Sequence, residues 1–99
     1  MTKQELEKYL RRAGKGFIAC SIAPAVKYKQ GIINKATLIA TIEQNFKNNK
    51  ITTKDFRLNI ALKIVESGKI IEALENIQNS TKVKKEYRDL ATKTLNSLK

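Results

Sequence analysis

Ninety-nine residues suit one domain, with a core just large enough to fold unaided. Twenty Lys and Arg stand against nine Asp and Glu, so the formal net charge is +11. There is no His and only one Cys, which excludes an intrachain disulfide, a Cys/His zinc site and the Ser-His and Cys-His nucleophile pairs.

From the N-terminal end, Thr2 and Glu5 have the spacing of a capping box, T-x-x-E, and predict a first helix that stops at Gly14. Leu6, Tyr9, Leu10 and Ala13 share its apolar face, while Lys8, Arg11 and Arg12 lie away from it. Gly14-Lys15-Gly16 lacks the longer phosphate-loop pattern and follows no strand, so it reads as a helix stop. The charged, amphipathic start has no apolar centre of the secretory kind, and no apolar run approaches the roughly 18 residues of a membrane span. A cytoplasmic location without a membrane span is the expectation.

Phe17 to Gln30 is apolar almost all round until Lys27. Pro24 opposes a helix interior, because it has no N–H and its ring crowds the preceding turn. The expected solution is a short helix or turn from Lys15 to Ile22, then a second helix with Pro24 in its first turn and Ser21 or Ala23 as cap. The alternative, a buried strand at Phe17 to Ile22, finds no second alternating segment to pair with. Cys20 reads as a small buried hydrophobe.

Asn34 is placed to cap a helix from Lys35 to Asn48, with Leu38, Ile39, Ile42 and Phe46 inward. Lys47-Asn48-Asn49-Lys50 has turn chemistry. The segment Thr53 to Ser67 is expected to be the centre of the fold. Thr52 and Asp55 fit a capping box, and Phe56, Ile60, Ala61 and Ile64 recur at helical spacing. Leu58, Leu62 and Val65 widen that stripe past half the circumference, leaving Asp55, Asn59, Lys63 and Glu66 as the polar strip. So broad an apolar surface calls for neighbours on several sides. Gly68 supplies the stop. Lys69 to Gln78 forms the next helix, with Ile70, Ile71, Leu74 and Ile77 inward. Ser80 or Thr81 then caps a last helix whose inward residues are Val83, Tyr87, Leu90, Thr94 and Leu98. The fold class is all-α, one small bundle of five or six helices over residues 1–99 around a central helix at about 53–67.

Charge points to a polyanion. No acid occurs between Glu7 and Glu43, an interval that holds Lys8, Arg11, Arg12, Lys15, Lys27, Lys29 and Lys35. Such a surface attracts nucleic acid through counterion release and steering. Helix, short loop, helix across Lys35 to Ser67 has the outline of a helix-turn-helix unit. In that reading Lys54, Asp55, Arg57 and Asn59 are the candidate readers of base edges, Lys47 and Lys50 meet phosphates, and Lys8, Arg11, Arg12 and Lys15 add further phosphate contacts. Asp55 and Glu66 on the same helix, and the absence of glycine from the turn, count against it.

Duplex DNA is the favoured partner. RNA is a further option, since Lys outnumbers Arg and serves phosphate better than bases. The competing class is a protein-binding module, such as an inhibitor, adaptor or accessory factor of the kind mobile elements carry, which uses its basic face on an acidic partner. No enzyme, metal or cofactor is implied. The surface acids, Glu72 and Glu75 among them, form no cluster that meets the requirements of a catalytic site.

Overall fold

The computed structural model describes residues 1–46 and 55–98. Six helices make up most of them: α1 (Lys3–Ala13), α2 (Lys15–Lys29), α3 (Lys35–Asn45), α4 (Phe56–Glu66), α5 (Ile70–Gln78) and α6 (Lys85–Leu98). Among the described residues there is no strand. The chain is an all-α bundle, and no helix among these residues is long and apolar enough to cross a membrane.

Local chemistry explains most of the ends. The Thr2 hydroxyl accepts from the Glu5 backbone N–H at 3.1 Å, and the Glu5 carboxylate accepts from the Thr2 N–H at 3.3 Å, which completes the capping box of α1. Gly14 ends α1 at φ 91°, a conformation open to glycine, and the chain restarts at once as α2. Asn34 caps α3 by accepting from Thr37 N–H at 2.8 Å. Gly68, at φ 74°, turns α4 into α5.

The helix that meets all five others is α2. Phe17, Ile18, Ala19, Cys20, Ser21, Ile22, Pro24 and Ala25 are all buried on it, which covers its whole circumference. All-round apolarity is what a helix at the middle of a bundle needs. The helix expected at the centre, about 53–67, is α4; Leu58, Ile60, Ala61 and Ile64 are buried, and it packs on α1, α2 and α5. Around α2 the core is completed by Leu6 and Leu10 of α1, Leu38 and Ile42 of α3, Leu74 and Ile77 of α5 and Leu95 of α6.

Several local expectations are corrected. Residues 15–29 form one continuous helix, neither two pieces nor a strand, with Pro24 inside it. The Ser21 hydroxyl caps nothing; it donates to the Phe17 carbonyl at 2.6 Å, one turn back. Burial against five neighbours outweighs the single hydrogen bond that Pro24 withholds. α3 ends at Asn45 rather than Asn48, with Phe46 as its C-cap. The N-cap of α4 is Asp55, which accepts from Arg57 N–H at 2.9 Å, so the helix begins at Phe56; Thr52 lies outside the described residues.

Phe56, expected in the core, is 59 % exposed. It falls on the outer strip of α4 with Asn59 and Lys63, three and seven residues on. Ile71 and Leu98, also expected inward, are exposed at the ends of α5 and α6. α6 starts at Lys85, after a turn in which Val83 N–H donates to the Ser80 carbonyl, so Ser80 and Thr81 do not cap it.

Candidate nucleic-acid interface

α1 and α4 lie side by side and antiparallel. Met1 Sδ meets the Ser67 hydroxyl at one end, and further along Lys63 Nζ donates to Tyr9 Oη at 3.1 Å. The chain therefore climbs α1 while it descends α4. One turn beyond the Tyr9–Lys63 contact come Arg12 on α1 and Asn59 on α4, and one turn beyond Asn59 comes Phe56. Lys8, Arg11 and Arg12 are exposed on α1, and Asn59 and Lys63 on α4. None of these five forms an ion pair with an acid among the described residues. The acids Glu5 and Glu66 lie on the Met1–Ser67 side of Lys63, near enough to act on its charge, and Glu66 is bound there by Lys29.

Tyr9 holds Lys63 in place. The ammonium lies 5.1 Å from the ring centroid as well as on the hydroxyl. That hydrogen bond, more than the nearby Glu5 and Glu66, raises the Lys63 pKa, so the cation is kept charged.

The structure separates the sequence-derived candidates. Lys8, Arg12 and Asn59 stay exposed along the α1/α4 face, whereas Arg11, one turn on from Glu7, lines a cleft with Glu7, Lys15 and Asn76 on the α5 side of α1. Lys15 is also turned away from the α1/α4 face: its Nζ donates to the Ser80 hydroxyl at 3.2 Å, on the side where α1 faces α5. Arg57 is not available to a base edge. Its Nε and Nη2 donate to the two oxygens of Asp55 at 3.2 and 2.9 Å, and its guanidinium lies 4.9 Å from the centroid of Phe17 and 6.0 Å from that of Phe46. Lys47, Lys50 and Lys54 lie outside the described residues.

The helix-turn-helix outline loses its geometric basis as well. In such a unit the two helices pack together at a steep angle. Here α3 packs on α2, and α4 packs on α1, α2 and α5; α3 and α4 do not form a packed pair among the described residues.

Three residues of this face were not singled out for binding in the sequence: Phe56, Lys63 and Tyr9. Phe56 was hidden by its place in an apolar stripe, and Tyr9 and Lys63 by being 54 residues apart. No group of three or more His, Cys, Asp or Glu suited to a metal occurs among the described residues. Among the described residues, a groove of about 350 Å³ over α2, walled by α3 and α6, has Lys27 as its one charged lining residue. Comparison of the chain with protein-family models, with curated proteins and with solved structures finds no match.

Proposed function

We propose that this chain is a non-enzymatic nucleic-acid-binding protein that docks through the α1/α4 face, chiefly by phosphate contacts. The observation that carries the reading is the set of exposed cations Lys8 and Arg12 on α1 with Asn59 and Lys63 on α4, none of them in an ion pair among the described residues. Cations that no acid neutralises can exchange their counterions for phosphates, and each exchange adds salt-dependent affinity. The excess of charge over the whole chain, +11, adds long-range attraction of the same sign. With Arg57 bound to Asp55, direct reading of duplex bases by α4 has lost its main residue. What remains is backbone recognition with modest sequence preference.

Fluorescence anisotropy over a salt series, with duplex DNA, single-stranded DNA and structured RNA, tests the reading. Affinity is expected to fall steeply as salt rises. Replacing Lys8 and Arg12 with Ala should weaken binding to every sequence and flatten the log–log salt plot by about one unit per lost phosphate contact. Retention of none of the three at about physiological salt, in the ~100 µM range that even non-specific binders reach, would leave the basic face to an acidic protein partner.

A further inference from the structure

We infer that the α1/α4 face takes a single-stranded nucleic acid, with one base stacked on Phe56 and the flanking phosphates on Arg12, Lys8 and Lys63. This rests on the nucleic-acid reading above and narrows it to one class of strand.

Six aromatic side chains occur in the chain, and five of them are occupied by the fold. Phe17 is buried, with Phe46 edge-on to it at 5.5 Å and Tyr87 against Phe46 at 5.8 Å. Tyr9 is half-buried beneath Lys63, and Tyr28 is half-buried against the core. Phe56 is different: 59 % exposed, on the solvent strip of α4 with Asn59 and Lys63. A large apolar ring on that strip is poorly matched to water.

Nucleic acid has a group for each part. Phosphates suit Lys8, Arg12 and Lys63, and the face of a base suits a phenyl ring. The spacing agrees: Phe56 and Lys63 are seven residues apart on one helix, about 10.5 Å along its axis. That is within reach of a base and the backbone of its neighbours. A duplex hides its base faces in the stack, and a wedge between base steps costs a few kcal/mol of unstacking. On a duplex Phe56 would meet only sugars and phosphates. A single strand offers base faces without that cost. Asp55, the residue before Phe56, is already bound by Arg57 through both carboxylate oxygens, which limits its repulsion of a phosphate.

The test measures affinity by anisotropy for a labelled single strand and for the duplex of the same sequence, with the wild type, Phe56→Ala and Phe56→Trp. Because the ring is largely outside the core, Phe56→Ala should fold, and a thermal melt verifies it. The single strand is expected to bind more tightly than the duplex. Phe56→Ala should weaken single-strand binding by about 5- to 150-fold, the range for one lost base–aromatic stack, and leave duplex binding within about twofold. Phe56→Trp should restore the affinity, and its indole emission should be quenched by the strand. If nucleic acid binds but Phe56→Ala leaves the single strand unaffected, or weakens both forms equally, the stacking inference fails while the phosphate reading stands. If neither form binds, both fail.

Discussion

Gly16 and Tyr87 are in direct contact: a Cβ built on Gly16 would sit 2.8 Å from Cδ2 and 3.0 Å from Cε2 of the tyrosine ring. The absent side chain lets α6 lay an aromatic ring on the first turn of α2. The same ring then reaches Phe46 and, through it, Phe17. Gly16→Ala in an open helix would stabilise by about 0.5–1 kcal/mol. Here overpacking should reverse the sign and cost about 1–3 kcal/mol. Urea denaturation gives the sign directly, and a midpoint that rises would show that the ring gives way. In the background of Tyr87→Ala the same Gly16→Ala change should lose its cost, because the two residues are coupled through one contact.

Asp55 does two things for α4: it caps the helix and it holds Arg57. Asp55→Ala removes both and should cost about 1–2 kcal/mol. Asp55→Asn keeps a capping oxygen and should cost less. The bonds from Arg57, ahead of its charge, hold the Asp55 pKa below the ordinary 3.8. A depressed carboxylate pKa adds stability in full above the unfolded value, and that stability is lost as pH falls through the folded one. The difference in stability between wild type and Asp55→Asn should therefore be flat from neutral pH to about pH 5 and close below 3.8. Chemical denaturation at a series of pH values checks this; a gap that persists well below that range would mean that the charge is not what Arg57 recognises.

How much of this was legible follows from where each signal is stored. The Thr2–Glu5 box and the stops at Gly14 and Gly68 depend on a few adjacent residues, and the sequence shows them. Asn34 as a cap is of the same kind. The role of α2 is not, because a helix apolar on all sides has no preferred face for periodicity to find. All-round apolarity is itself the mark of the hub, and Pro24 is the one local signal that opposes a continuous helix there. Phe56 and Ile71 behave the other way: helical spacing places both inward, although each sits on the edge of a stripe where neighbours run out. The Tyr9–Lys63 pair and the seizure of Arg57 by Asp55, Phe17 and Phe46 are tertiary facts. Spacing alone shows Arg57 as a free cation.

The hub can be tested against α4 and α5. Ile22 of α2 and Ile64 of α4 are both fully buried, so Ile22→Ala and Ile64→Ala should each cost about 2–5 kcal/mol. Ile71 is 42 % exposed, and Ile71→Ala should stay within about half a kcal/mol or slightly above it. Denaturation midpoints in urea rank the three. A loss at Ile71 comparable to that at Ile22 would contradict the placement of α5.

Cys20 lies in the core of α2, 2 % exposed. Burial, with a smaller contribution from Glu86, pushes its thiol up to about 12, so the thiolate is scarce at neutral pH. A thiol reagent should label the native protein only as fast as the core opens, and label it at the rate of a free thiol in urea. Stabilising or destabilising variants should shift the native rate accordingly. Labelling of the native protein at the free-thiol rate would place Cys20 at the surface.

Arg57 and Arg12 were equivalent as cations in the sequence and should behave oppositely. Arg57→Gln leaves the Asp55 carboxylate, whose side chain is only 12 % exposed, without its charged partner, and removes a planar group from above Phe17. The expected loss is about 1–3 kcal/mol of stability, with nucleic-acid affinity changed by less than about twofold once folding is complete. Arg12→Ala removes an exposed side chain with no acid partner, so stability should hardly move while the salt slope drops by about 0.9 for a duplex or 0.7 for a single strand. Denaturation and salt-dependent anisotropy on the same two proteins separate the effects. If Arg57→Gln, still folded, weakens binding more than Arg12→Ala does, then ligand competes with Asp55 for the guanidinium. The start of α4 would then be a reader after all, with the Asp55 pair as the closed form of its side chain.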